Sequence, residues 1–348
     1  MKIAVVNNTV PFLYGGAEFL ADSLCGKLKE YGFQSCVIKF PFSWVPKEAI
    51  LDSIMAVRLN QICNCDMVIA LKFPAYYIEH PNKKLWLLHQ FRQAYDLHGT
   101  EYGMFNENDQ KDMAIRQAII DMDNRCLAGM EGRIFTNSGV VSQRLYKYNG
   151  ISSEVLYPPL MDESLYSVGD TYGDYIFYPS RVNYSKRQHM AVEAMKYTRS
   201  QVKLVLAGKG DSPDDEKLIF RKIEEFGVQN KVTYLNRFIS EQEKVELFCG
   251  ALGGIYIPYD EDSYGYVTLE GFHAGKAMIS CLDAGGTDVV VKDGITGYMT
   301  EPTPQALAEA MDKMYNDRKK TIEMGKNGLP LLEKLGITWD NVIRRLTE

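Results

Sequence analysis

The stretch Tyr259 to Gly275 reads Y-D-E-D-S-Y-G-Y-V-T-L-E-G-F-H-A-G, and the rest of the chain is organised around it. An apolar run, Gly254 to Pro258, leads into it as a strand, and a helical pattern over Tyr266 to Ala274 leaves it. Asp262 falls in the loop and Glu270 about one turn into the helix, so two carboxylates stand beside a helix N-terminus. The backbone N–H groups of Gly265, Tyr266, Val267 and Thr268 favour an anion there. Such a site could hold phosphate on N–H groups and sugar or ribose hydroxyls on carboxylates. A plainer reading of the same residues is an acidic run capping a buried helix.

Two further features precede this stretch. A strand over Tyr175 to Pro179 ends in Ser180-Arg181-Val182-Asn183-Tyr184-Ser185-Lys186-Arg187. Arg181 and Lys186 are the residue types that neutralise a diphosphate, one planar and forked, the other a mobile point charge. A strand over Val202 to Ala207 runs into a glycine-rich turn, Gly208-Lys209-Gly210. Strands at Lys231 to Leu235 and Ala277 to Cys281 complete the set. Helices are expected at Arg187 to Tyr197, Asp214 to Phe226 and Glu241 to Gly250.

The first half alternates in the same way. Strands are expected at Lys2 to Val6, Ser35 to Phe40, Met67 to Leu71, Leu85 to Leu88 and Arg133 to Thr136, with helices at Asp109 to Leu127 and Gly139 to Tyr148. Continuous apolar strands alternating with helices define α/β domains with parallel sheets covered on both faces. Ligands bind such sheets outside the carboxyl ends of the strands. His89 stands at one such end, and Gly15-Gly16 opens the first helix after the first strand. Each has an ordinary alternative, a hydrogen-bonded structural histidine and a tight turn. Tyr157-Pro158-Pro159 breaks the alternation, and the segment 161–173 reads as an interdomain linker.

At 348 residues the chain suffices for two domains, each with its own core. The net charge of −6 argues against nucleic acid as a partner. No apolar run nears the roughly 20 residues that span a bilayer. Met1 to Val6 reads as a strand, not an export signal. Seven irregularly spaced cysteines without C-x-x-C read as reduced thiols in a cytoplasmic protein, mostly buried. The histidines lack metal-ligand spacing.

Together these features resemble a GT-B glycosyltransferase of the GT4 type, a retaining family that uses nucleotide-sugar donors. The resemblance rests on Asp262-x7-Glu270 followed by Gly271 to Lys276, on Arg181 and Lys186 five residues apart, on Gly15-Gly16 and on His89. The stretch Leu85 to Gly103 resembles a bacterial glycan-assembly subset. Aspartate at 262 departs from the family, where glutamate is commoner, and puts the donor's identity in question. The resemblance implies a GT-B architecture, two doubly wound Rossmann-like domains facing each other across a cleft. An acceptor domain would span 1–160, a donor domain 174–336, and a closing helix over 337–348 would pack back on the first domain.

The same resemblance implies roles. Arg181 and Lys186 would neutralise the departing diphosphate, with N–H groups at Gly265 to Thr268. Glu270 would take ribose hydroxyls and Asp262 sugar hydroxyls. Gly15, Gly16 and Gly208 would let backbone approach the donor, and Phe238 and Ile239 would flank the base. His89 would line the site, with Arg92 and Tyr95 on the acceptor side. Asp260-Glu261-Asp262 also spells the D-x-D metal signature of another glycosyltransferase fold, yet this family needs no catalytic metal and no cofactor. Implied partners are a UDP- or GDP-linked sugar and a glycan or lipid-linked acceptor, with peripheral contact at the inner face of a membrane left open. Two alternatives stay open: a nucleotide-sugar epimerase of the same fold, and a non-catalytic nucleotide-sugar-binding subunit.

Overall fold

A computed structural model describes residues 1–12, 15–100, 102–169 and 171–348. The chain divides into two compact units, Met1–Met161 with Ile337–Glu348, and Asp162–Gly336.

In the first unit the order is β1 (Lys2–Thr9), α1 (Gly16–Glu30), β2 (Gln34–Pro41), α2 (Ala49–Arg58), β3 (Met67–Ala70), β4 (Lys83–Leu87), α3 (Gln110–Leu127), β5 (Ile134–Thr136), α4 (Gly139–Asn149) and β6 (Glu154–Val155). The strands form one parallel sheet in the order β2-β1-β3-β4-β5-β6. Alternate residues of β1 feed opposite faces, as the period of two in a strand requires. Ile3 and Val5 pack with Leu20, Leu24 and Leu28 of α1, while Ala4 and Val6 pack with Ile50 and Ile54 of α2.

The second unit runs β7 (Tyr175–Pro179), α5 (Gln188–Ala194), β8 (Lys203–Ala207), α6 (Pro213–Phe226), β9 (Val232–Leu235), α7 (Glu241–Gly250), β10 (Gly253–Ile255), α8 (Tyr266–His273), β11 (Ala277–Cys281), β12 (Gly297–Thr300), α9 (Pro304–Asn316), α10 (Arg318–Lys326) and α11 (Gly328–Lys334). Its parallel sheet has the order β12-β11-β10-β7-β8-β9. Successive strands therefore build outward one way from β7 to β9 and the other way from β10 to β12. The order reverses between β7 and β10, and it is outside the carboxyl ends of strands at such a reversal that sheets of this kind bind ligands.

The last helix, α12 (Trp339–Thr347), belongs to the first unit. Trp339, Val342, Ile343 and Leu346 are spaced to share one helical face, and all four are buried against the α1 side of the first sheet. Each such side chain contributes about 1.5–3 kcal/mol on burial. Thr338 caps the helix, and the Trp339 indole N–H donates to Leu160 O at 2.9 Å.

Three expectations need correction. Of the expected linker 161–173, residues 162–169 and 171–173 form no β-strand or α-helix but belong to the second unit. Lys276 Nζ donates to Thr171 O (2.7 Å), Gly173 N–H to Gly250 O (2.9 Å), and Arg318 to Gly173 O (2.6 Å). Such a segment lacks period because its hydrogen bonds go to side chains and loops. The strand β10 stops at Ile255 and not at Pro258. Of the seven cysteines only Cys25 and Cys281 are buried, and all seven are free thiols.

Candidate functional site

The loops at the carboxyl ends of β7, β8, β10 and β11 are tied together by backbone contacts. Gly208, at φ +150°, lies so close to the Ser180 carbonyl that a Cβ would sit 1.9 Å from its oxygen. The need for glycine is therefore met inside the protein, by the crossing of two loops. Tyr259 N–H donates to Ser185 O (2.8 Å) and Asp260 N–H to Asp283 O (3.0 Å). Gly285, at φ +72°, brings the loop after β11 against Glu261, where a Cβ would meet its carbonyl at 2.1 Å. Arg187 closes the arrangement with two bonds to Asp283, at 2.7 and 2.6 Å, and lies over the Tyr259 ring. That paired fork raises the guanidinium's pKa further.

Within this frame Lys186 is mostly buried, and its ammonium meets the Glu261 carboxylate and the Tyr256 hydroxyl. Sequence reasoning missed both partners. Glu261 is the middle member of D-E-D, and spacing from Glu270 singles out Asp262 instead. Tyr256 sits at the end of an apolar run and reads as core. Its pKa is pushed up by burial and by Glu261, so the phenol keeps its proton.

Arg181 is exposed and pairs with Asp211 at 3.0 Å. An exposed pair of this kind contributes little, about 0–1 kcal/mol, so Arg181 can exchange partners at small cost.

Glu270 is buried on the inner side of α8, and Lys244 Nζ of α7 donates to its Oε1 at 2.6 Å. Burial raises the Glu270 pKa, with Lys244 opposing. Burial presses the ammonium of Lys244 the other way, but Glu270 and Glu241 outweigh it and its pKa is raised. Lys244 was another partner hidden from sequence, because it comes from a different helix. Asp262 is half-buried in the loop before α8.

Gly265 caps α8 at φ +70°, packed on the Tyr256 ring, where no side chain fits. Thr268 corrects the expected anion nest. It is fully buried, its N–H donates to Gly265 O (3.1 Å), and its hydroxyl donates to Tyr264 O (2.8 Å). Tyr266 and Val267 remain as first-turn N–H groups without an intrahelical acceptor. Phe238 is exposed and Ile239 half-buried in the loop after β9.

The first unit holds the other candidates. His89 follows β4 and is half-buried; its Nδ1 lies 2.7 Å from Gln90 O, so Nδ1 carries the proton in the neutral ring and Nε2 the lone pair. Gly15 caps α1, and its N–H already donates to Glu18 Oε2 (3.0 Å); Gly16 is exposed. Glu18 in turn pairs with Lys72 at 3.1 Å, across the carboxyl ends of β1 and β3. Arg92 is held by Asp96 at 2.7 Å. Tyr95 is not placed to meet an acceptor. It is buried, and its hydroxyl donates to Asp123 Oδ2 at 2.6 Å, because a phenol taken out of water needs an acceptor.

Two α/β units with parallel six-stranded sheets, the second reversing its strand order between β7 and β10, are the GT-B arrangement of elements. An Anabaena protein solved with UDP-glucose shares that fold, at a TM-score of 0.71 and 17% identity, over 98% of each chain. Residues 170–329 match the family model described as Glycosyl transferases group 1. Residues 170–329 thus carry a Glycosyl transferases group 1 domain, and the likeness to the Anabaena protein is one of fold. It is 35% identical over 135 residues to the alpha-1,3/1,6-mannosyltransferase ALG2 of Dictyostelium discoideum, covering 37% of this chain and 31% of the relative. It is 27% identical over 177 residues to the O-antigen chain mannosyltransferase C of Escherichia coli, covering 50% and 46%. The matched part thus spans less than half the length of either relative. Among the described helices none is long and apolar enough to cross a membrane.

Proposed function

We propose that the protein transfers a sugar, with retention of configuration, from a UDP- or GDP-linked donor to a hydroxyl of a glycan or lipid-linked acceptor. The observation that carries this reading is the convergence at the second sheet's reversal point. Lys186 and Arg181 from the β7 loop, the first turn of α8, and Glu270 all follow the two strands that flank it. In the reaction the bond from the sugar's anomeric carbon to the diphosphate oxygen breaks, and a bond to the acceptor oxygen forms. The acceptor's proton leaves with the diphosphate or to solvent. Charge grows on the diphosphate as the bond breaks, so cations there stabilise the transition state more than the ground state. Lys186 leaves Glu261 for the diphosphate, Arg181 leaves Asp211, and the Tyr266 and Val267 N–H groups complete the cradle. Glu270 accepts from ribose hydroxyls, Asp262 from donor-sugar hydroxyls, and the backbone at Phe238 and Ile239 flanks the base. His89 lies on the donor-sugar and acceptor side. No metal takes part, and the enzyme works in the cytoplasm or at the inner face of a membrane, in bacterial surface-glycan assembly. Two relatives named as mannosyltransferases place a mannosyl donor first among those to try.

A thermal-shift screen of UDP, GDP, ADP and their sugars tests the reading. One nucleoside diphosphate and its sugar should raise the unfolding temperature by mass action. No stabilisation by any of them would end the proposal. Epimer formed from donor alone would mark an epimerase instead. Turnover should survive EDTA, and complete loss reversed by Mn²⁺ would return the D-x-D run to metal binding.

A further inference from the structure

The first unit contains a cavity that the proposed reaction does not use. It is a half-open hollow of about 710 Å³ at the amino-terminal edge of the first sheet, opposite the strand ends that carry His89. Lys83 opens β4 there, Arg133 precedes β5, Arg58 ends α2, and Arg125 lies in the last turn of α3. In a chain of net charge −6, four cations around one cavity are not what composition predicts.

Their partners make the excess sharper. Arg58 pairs with Glu79, the only carboxylate of the described lining. Lys83, Arg125 and Arg133 have no ion-pair partner among the described residues. Lys83 is 7% exposed, and its ammonium donates to Tyr76 O (2.9 Å), Ile78 O (3.0 Å) and the Cys126 thiol (3.6 Å). Those acceptors satisfy its hydrogen bonds but carry no formal charge. Arg133 donates to Gly129 O at 2.7 Å, just past the end of α3. That carbonyl lies beyond the helix and is a neutral acceptor. It does not neutralise the group, and two helix C-termini supply only about half a negative charge each. With Glu79 included, the cavity keeps about two unmatched positive charges.

The remaining lining is mixed: Gln61, Cys63 and His80 stand beside the apolar side chains of Ile62, Pro81 and Met122. A cavity of this size exceeds an inorganic ion and falls in the range of small-molecule sites, about 300–1,000 Å³. Guanidinium forks match phosphate oxygens, and a dianion would cancel the charge excess. We propose that this cavity binds a phosphate ester whose organic part lies against Ile62, Pro81 and Met122, at a site separate from the strand-end residues of the second unit. The phosphate sits between Arg125 and Arg133, and the fixed charge of Lys83 strengthens it from behind. A soluble phosphate ester and the head of a membrane phospholipid share this chemistry.

The test uses the full chain carrying Arg181→Ala and Lys186→Ala, so that diphosphate affinity of the second unit does not contribute. Calorimetric titration with hexyl phosphate should give one saturable site. Arg125→Gln with Arg133→Gln, both at solvent-accessible positions, should weaken it by about tenfold to a hundredfold, as for lost hydrogen bonds to a charged group. Inorganic phosphate should bind more weakly than hexyl phosphate, and equal affinity would overturn the role of the apolar side chains. Sedimentation with phosphatidylcholine vesicles, with and without phosphatidic acid, separates the two sources. Binding that needs phosphatidic acid and both arginines assigns a lipid; hexyl phosphate binding without vesicle binding assigns a soluble ester. Failure to bind either probe, or equal binding by the arginine variant, overturns the proposal.

Discussion

Asp123 in the first unit and Glu270 in the second are both carboxylates shut away from solvent, and they differ in what meets them. Asp123 accepts from three phenols, Tyr76 and Tyr77 on Oδ1 and Tyr95 on Oδ2, each at 2.6 Å. Glu270 accepts from an ammonium, Lys244, at 2.6 Å. Neutral donors orient a carboxylate but do not cancel its charge, so burial pushes Asp123 up to about 6 against the pull of its phenols. The phenols join the segment before β4, the segment after it and α3, which makes Asp123 a knot of the core. Glu270 instead stands one turn into the helix that follows β10 at the reversal of strand order, with a cation held beside it. Burial of a carboxylate is thus no mark of a site by itself. Its place in the sheet topology and the charge of its partner carry that information.

The largest test of this contrast is Lys244→Met. It leaves Glu270 buried without its cation, which should cost about 3–5 kcal/mol. Hydrogen exchange in α7 and α8 is the measurement, because a chain of two units need not unfold in one step. Tyr95→Phe removes one of three neutral donors and should cost about 1–3 kcal/mol in the first unit. Equal costs for the two would erase the distinction.

Next is Lys186→Ala, which should lower turnover by about a hundredfold or more while changing donor affinity less. Arg181→Ala should act in the same direction. Turnover equal to the unsubstituted enzyme in either variant would remove that cation from the proposed reaction.

Asp123 predicts a pH dependence. Its folded value, about 6, lies above its ordinary 3.8, so the folded state holds the proton more tightly. That contribution to stability is complete below pH 3.8 and is lost as pH rises through about 6. The change amounts to about 3 kcal/mol in the first unit. Asp123→Asn cannot titrate and should lack this slope. Parallel profiles of first-unit stability for the two proteins, from pH 4 to 7, would show that Asp123 stays ionised throughout.

The smallest effects should come from Glu270→Gln and Asp262→Asn, near-isosteric exchanges that turn an anionic acceptor into an amide. Glu270→Gln should weaken nucleoside diphosphate and its sugar alike, by about tenfold to a hundredfold. Asp262→Asn should leave the bare diphosphate nearly unchanged and lower transfer by a similar factor. Loss of the diphosphate in Asp262→Asn, with Glu270→Gln intact, would reverse the two assignments.

How much of this could be read beforehand differs by residue. Glu241 to Gly250, Tyr175 to Pro179 and Ala277 to Cys281 are found at the expected bounds, because periodicity and chain breaks are local signals. The short strand β12 escaped notice, since four residues on a sheet edge carry too little pattern. At the candidate site, the spacing of Asp262 and Glu270 was legible from the strand and helix that flank them. The ion pair of Lys186 with Glu261 was not. Three acidic residues lie side by side in that loop, and the one that turns inward is set by the close approach of Gly285 from the loop after β11. Tyr95 misled for the same reason, because its acceptor lies 28 residues further along the chain.

The sequence by itself determined that this is an α/β protein with parallel strands, and which residue types stand at the strand ends. Alternation of apolar runs with amphipathic helices suffices for that, since each element buries a face dictated by its own period. Only the tertiary structure decided that the β7 and β10 loops are neighbours, because strand order depends on contacts between distant segments that no local period records. It also decided which cation meets which carboxylate. Long charged side chains choose partners by the geometry of folded loops, and in that geometry Glu270 takes Lys244 from α7 while Asp123 takes only phenols.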